Sequence, residues 1–166
     1  MNPSLKEIYD GLCRPFPTAW ISWRVGPTND RWRKEGEPLR GQPLCYIDAR
    51  VVQDRLDAVV GFSAWQRSYT PGVGNSITCN IGIRCPVFGA DGTTLVGFEW
   101  VWKGDGAGPS DTEPEKGTYS DAFKRAAVNW GIGRYLYDLK APWMHLEQRG
   151  KTAVIPDAAQ EDLRKL

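Results

Sequence analysis

The sequence predicts an α+β fold: an antiparallel β-β-β sheet with one face covered by an amphipathic helix. Three stretches carry that prediction. From Ile77 to Val87 the chain alternates, and Ile77, Cys79, Ile81, Ile83, Cys85 and Val87 fall on one face of a strand. Ala90-Asp91-Gly92 is a hairpin signal, and Thr93 to Lys103 returns with Thr94, Val96, Phe98, Trp100 and Trp102 sharing a face. After Ser120, Ala122, Phe123, Ala126, Ala127 and Trp130 recur at helical spacing. A sheet with an apolar face needs a cover, and this helix is expected to supply it.

The remaining elements follow in order. Residues 4–12 read as a short helix, with Ser4 and Glu7 as a capping box and Leu5, Ile8 and Leu12 on one side. Pro15 and Pro17 end it. Ala19 to Val25 is aromatic and β-branched and reads as a strand, with Arg24 at its end. Residues 26–43 read as a loop long enough to be functional. Asp48 can cap a helix from Ala49 to Val60 whose buried side is Val51, Val52, Leu56, Val59 and Val60, closed by Gly61. Phe62 to Tyr69 supplies the first strand of the sheet, and Pro71, Gly72 and Gly74 its turn. Residues 104–115 contain no apolar residue larger than alanine and read as an exposed loop. No Lys-Ser or Lys-Thr pair follows at P-loop spacing. Ser120 is read as the N-cap of the covering helix and Gly131 as its C-terminal stop, with Gly133 turning the chain into Arg134-Tyr135-Leu136-Tyr137. Asp157 to Leu166 reads as a short terminal helix. Residues 1–145 are assigned to one domain and 146–166 to a tail.

Composition narrows the function classes. The chain has 166 residues and a formal charge of +1, so no whole-protein basic field would draw in nucleic acid. Any such binding must rest on a local patch. Eight Trp, six Tyr and five Phe are many for this length, and aromatics serve a core, a base stack or an interface equally well. The four cysteines form no CxxC pair and His145 is the single histidine, so no zinc site and no cofactor are expected. Cys79 and Cys85 share a strand face too far apart to bond each other, and reduced thiols are expected. No stretch is long and apolar enough to span a membrane, and a soluble intracellular protein is expected.

Catalytic constellations are weak. The serines lack a GxSxG context, and His145 stands in a tail-like segment. Asp48, Asp54 and Asp57 are explained as a cap and a polar helix face. Nucleic-acid binding has a better case in combination. Arg24 ends an aromatic strand, Lys116, Lys124 and Arg125 lie on the covering stretch, and Arg134 follows the glycine bend beside Tyr135 and Tyr137. Phosphates need a few placed cations, and bases accept flat aromatic partners. On spacing alone the simpler reading of each cation is a solvated surface charge. The residues by themselves favour a binding module over an enzyme.

Tyr46 to Val60 (YIDARVVQDRLDAVV), then Trp65, the long hairpin, and Ser120 to Leu139 (SDAFKRAAVNWGIGRYLYDL) resemble the DNA damage response protein A (DdrA) family. That family is a bacterial branch of the single-strand annealing superfamily typified by the eukaryotic radiation-sensitivity recombination mediator. The resemblance spans about residues 15–145. It implies a non-enzymatic protein that assembles through its sheet into a homo-oligomeric ring or partial ring. It also implies that the protein binds single-stranded DNA, protects DNA ends and promotes annealing of complementary strands. The expected location is the bacterial cytoplasm, at the nucleoid or in a phage-infected cell, with other recombination or single-strand-binding proteins as partners.

By the same resemblance, Lys124 and Arg125 match the basic pair of the inner DNA groove, Arg24 an arginine closing the early strand, and Lys116 a lysine before the helix. Val128 stands where eukaryotic members carry a further arginine, which weakens one backbone contact or moves it to Arg134. The turn at 69–76 and the loop at 104–115 have no lysine where those members use lysines for an outer duplex site. Rival readings are a metal-dependent nuclease acting on DNA ends and a monomeric single-strand RNA- or DNA-binding barrel.

Overall fold

The computed structural model describes residues 4–109 and 114–166, and of residues 114–116 the backbone alone. In order the elements are α1 (Leu5–Cys13), β1 (Ile21–Thr28), β2 (Arg40–Ile47), α2 (Ala49–Val60), β3 (Trp65–Pro71), β4 (Ile77–Phe88), β5 (Leu95–Ala107), α3 (Pro114–Asn129), β6 (Met144–His145), β7 (Glu147–Arg149), β8 (Thr152–Val154) and α4 (Asp157–Leu163). Short 3-10 turns lie at Thr18–Trp20 and Arg134–Tyr137. The chain divides into two compact units, Met1–Pro15 with Ala49–Arg134 and Phe16–Asp48 with Tyr135–Leu166.

In the first unit β4 lies between β3 and β5, antiparallel to both. Cys79, Ile81, Ile83 and Cys85 point from β4 into the core, where α3 buries Ala122, Phe123, Ala126 and Ala127 against the sheet. Three alanines let the helix approach closely, and Phe123 fills the space between. Fully burying such a ring is worth about 1.5–3 kcal/mol. Trp130 closes this core, its indole N–H donating to the Ile81 carbonyl at 3.1 Å. α1 carries the expected capping box between Ser4 and Glu7. Ile8 and Leu12 of α1 and Val52 and Leu56 of α2 are buried, while Leu5 is 51% exposed. The Arg55 guanidinium crosses from α2 to the carbonyls of Gly11 and Leu12.

Helix α3 ends in a Schellman motif. The Gly131 N–H donates to Val128 O at 2.9 Å and the Ile132 N–H to Ala127 O at 3.2 Å, with Gly131 at φ +90°. A Cβ at Gly131 would also collide with the Cys13 sulfur. The stop anticipated at Gly131 is therefore enforced twice, by conformation and by space.

Several boundaries differ from expectation. β1 starts at Ile21 and runs to Thr28, after a 3-10 turn, rather than spanning 19–25. Residues 40–43, expected in a loop, and 44–47, assigned to no element, form β2 and pair with β1 in register Ile21↔Ile47 to Val25↔Pro43. Pro43 and two glycines nearby hide this strand from a propensity reading, yet its pairing satisfies the backbone. β3 begins at Trp65, leaving Phe62 84% exposed. β5 continues to Ala107, four residues into the supposed loop, because Gly104 and Gly106 pair with Asn80 and Thr78. Helix α3 begins at Pro114, so Ser120 lies inside it and is not its cap. Proline suits a first helical turn, and the following Glu115 suits the dipole.

One expectation about faces is overturned. Register sets Lys103 opposite Ile81 and Trp102 opposite Gly82. The aromatic row of β5 therefore lies on the face away from α3. Phe98, Trp100 and Trp102 are 39%, 41% and 44% exposed. The helix covers the β4 stripe and not this one. An indole can lie flat there because Gly82 leaves room; a Cβ at Gly82 would stand 2.9 Å from the Trp102 ring.

In the second unit β2 pairs β1 on one side and β6 on the other. Leu39, Ala141, Leu146, Ile155 and Leu163 form its core, with Trp23 and Val25 packed against them. Residues 146–166 thus contribute the β7–β8 hairpin, α4 and three core side chains. Alternation places Ser22 and Arg24 of β1 with Leu44 and Tyr46 of β2 on the opposite, exposed face. Both three-stranded sheets are open rather than closed into a barrel. All four cysteines are free. Among the described residues no helix is long and apolar enough to cross a membrane.

Candidate nucleic-acid interface

Three cations of the first unit lie where the C-terminal half of α3 meets β5. Arg125 is about half exposed, and its Nη2 lies 3.2 Å from Asp105 on β5. Lys103, two residues earlier on the same strand face, donates from Nζ to the Asn129 carbonyl at 3.1 Å and sits 4.5 Å from the Trp130 ring centroid. Arg134 curls back from the glycine bend. Its Nε and Nη2 donate to Val128 O at 3.0 and 2.8 Å, and Nη2 reaches Asn129 O at 3.2 Å. The last carbonyls of a helix carry partial negative charge, so both Lys103 and Arg134 are drawn there. The result is a rim of three cations: Arg125 paired with the Asp105 carboxylate, and Lys103 and Arg134 both on carbonyls at the end of α3.

Lys124 stands one residue round the helix from Arg125. Its side chain is 26% exposed, and its Nζ lies 2.9 Å from Asp121 in an i,i+3 pair. On the far strand Arg67 lays its guanidinium over the Phe123 ring at 4.8 Å and Tyr69 at 5.8 Å. Tyr69 in turn meets Tyr119 edge-on, with centroids 4.8 Å apart. Burial, chiefly, pushes the Tyr69 hydroxyl pKa up. Arg67 and Lys103 are both register partners of Ile81, so one row across the sheet reads Arg67, Ile81, Lys103.

Lys124, Arg125 and Arg134 are thus brought onto one helix and its C-terminal turn. Lys116 lies in the first turn of α3, and its side chain falls outside the described residues. Arg24 belongs to the second unit, where it is exposed and its side chain makes no hydrogen bond or ion pair with the described residues. Tyr46, on the neighbouring strand, shares that face. Lys103 and Arg67 escaped the sequence reading. The available signal was their place opposite Ile81, at polar positions of edge strands beside the helix. Among the described residues no group of three His, Cys, Asp or Glu side chains is placed to hold a metal.

Residues 4–154 match the family described as Rad52/22 family double-strand break repair protein, and the chain belongs to that family. It is similar to two proteins named single-stranded DNA-binding protein DdrA. With that of Deinococcus deserti it is 35% identical over 158 residues, 95% of this chain and 70% of the relative. With that of Deinococcus radiodurans it is 34% identical over 140 residues, 84% of this chain and 59% of the relative. The chain therefore spans about three fifths to seven tenths of the length of these relatives.

Proposed function

We propose that this protein binds single-stranded DNA, protects DNA ends and promotes annealing of complementary strands in recombinational repair, without breaking bonds itself. The observation that carries the reading is the rim of Arg125, Lys103 and Arg134 beside Lys124, on a chain whose relatives are named for single-stranded DNA binding. Guanidinium and ammonium groups at a half-exposed rim can follow a phosphate backbone. Carbonyl capping leaves Arg134 and Lys103 with further donors to offer. Nothing in the rim is shaped to read base edges, so affinity follows backbone charge and falls with salt.

In this reading the protein works as a homo-oligomer, a ring or partial ring. β3 and β5 each pair on one side only among the described strands, which leaves two backbone edges that can accept another copy's strand. Repeating a near-neutral subunit would line up its small rims into one long path, and many weak contacts on one strand would add to a strong one.

The test is the Lys124→Ala, Arg125→Ala double variant, measured against labelled single- and double-stranded oligonucleotides across a salt series. Binding should be lost while circular dichroism and the light-scattering mass stay those of the parent. If the double variant binds single strands as the parent does, the site assignment fails. A discrete monomer by mass would remove the ring.

A further inference from the structure

The β1–β2 hairpin ends in a structured tip, residues 29–39, that carries the sequence Arg31-Trp32-Arg33-Lys34. Its neck is closed by Asn29, whose N–H donates to Arg40 O at 2.9 Å while its side-chain oxygen accepts from the Arg40 N–H at 2.8 Å. The Asn29 amide also donates to Pro38 O at 3.2 Å. Inside the tip Trp32 N–H donates to Asn29 O and Glu37 N–H to Lys34 O, each at 3.1 Å. Arg33 pairs with Asp30 at 3.1 Å and donates to Glu37 O at 3.2 Å. The Glu37 carboxylate accepts from the Lys34 N–H at 3.3 Å.

These bonds use Asp30, Arg33 and Glu37 to hold the tip and leave other groups facing water. Trp32 is 66% exposed and packs no core. The side chains of Arg31 and Lys34 meet no partner among the described residues, and neither does the carboxylate of Glu35. A large flat ring is thus exposed on a braced loop that also carries the unpaired side chains of Arg31 and Lys34, with Glu35 next to Lys34. The same hairpin carries Arg24 and Tyr46 on its exposed face.

We propose that this tip is a second contact for single-stranded DNA, with Trp32 stacking on a base and Arg31 and Lys34 taking the flanking phosphates. The inference rests on the reading of the protein as a single-strand binder. It adds to that reading a base-stacking element that the α3–β5 rim lacks. An indole accepts any base, so the contact is sequence-tolerant, and a braced loop loses little freedom on binding.

The experiment compares the parent with Trp32→Ala, Trp32→Phe and the Arg31→Ala, Lys34→Ala double variant. The probes are a polythymidine oligonucleotide and the same backbone with abasic sites, titrated by anisotropy over a salt series. Trp32→Ala should weaken polythymidine binding about tenfold, Trp32→Phe should restore most of it, and the Trp32→Ala deficit should vanish on the abasic strand. The double variant should flatten the salt dependence by roughly 1.4 in log-log slope, for two lost contacts at about 0.7 each. Melting temperature should not move. If the parent binds polythymidine and these variants match it in affinity and slope, the tip contact falls and the rim reading stands. If the parent does not bind, both fall. A Trp32→Ala protein with unchanged DNA affinity but altered assembly mass would make the tip a protein contact and overturn the proposal.

Discussion

Arg125 on α3 and Asp105 on β5 are joined through a single nitrogen, Nη2, which stands 3.2 Å from each carboxylate oxygen. Both partners are partly exposed, 51% and 34%, so the pair adds at most about 1 kcal/mol to stability. Its larger consequence is positional. It holds the guanidinium against β5, the strand that also carries Lys103, and it sets one negative charge beside Arg125.

Removing that charge should favour phosphate. Asp105→Asn is expected to tighten single-stranded DNA binding roughly 2–5-fold at low salt, corresponding to about 0.5–1 kcal/mol. The gain should fade above about 0.15 M salt, where screening acts within about 8 Å. Anisotropy titrations at several salt concentrations measure this directly. Equal affinities at every salt would take Asp105 off the strand path.

Arg24 stands on an exposed strand face with no protein partner among the described residues. Arg24→Ala should therefore leave the melting temperature unchanged and weaken single-strand binding, by less than the Lys124→Ala, Arg125→Ala double variant. Parent-like affinity would exclude Arg24 from the contact.

Gly131 and Gly92 both have positive φ, +90° and +69°, but only Gly131 is hemmed in. Alanine at Gly92 meets nothing within 4 Å and should cost about 1 kcal/mol of backbone strain. Alanine at Gly131 adds a collision with Cys13 and should cost about 2–3 kcal/mol or more. Urea unfolding of the two variants separates the contributions, and equal losses would show that the Cys13 contact relaxes freely.

Burial, first of all, pushes the Cys79 and Cys85 thiols above their ordinary pKa. Both should react slowly with a thiol reagent at pH 7.5 and rapidly after denaturation. A thiol raised in the folded state stabilises fully below its unfolded pKa. That contribution is lost as pH rises from about 8.5 through the folded value. Melting temperature should accordingly fall above about pH 8.5. Fast labelling of both native thiols would contradict their burial.

The hairpin turn was legible because its chemistry is local. Asp91 accepts from the N–H groups of Thr93 and Thr94 and from the Thr94 hydroxyl, which holds its carboxyl well below the usual range. The α2 bounds, Gly131 and the apolar face of α3 were legible for the same reason, since caps and period act within a few residues. β2 was not legible, because a strand of Gly41, Pro43 and mixed polarity is defined only by β1 beside it. The start of α3 was missed because Ser120 has the chemistry of an N-cap, while Pro114, which suits a first helical turn, lies six residues earlier.

In the candidate interface the basic pair Lys124-Arg125 was visible as adjacent letters. Its surroundings were not. Lys103, Asp105 and Arg125 lie within 22 residues in sequence, yet only the pairing register of β5 decides that Lys103 and Asp105 face α3. The same register turns Trp100 and Trp102 away from the helix.

The sequence by itself determined the segments that close on themselves: the helical faces, the glycine stop, the β4 alternation and the presence of cations. The tertiary structure alone decided which face of β5 meets the helix and which carboxylate restrains Arg125. It also decided that Trp32, Arg31 and Lys34 are presented while Arg33 is held. The physical reason is that side-chain period in a strand is two, so a shift of one residue in pairing reverses every face. No single stretch of sequence contains that register.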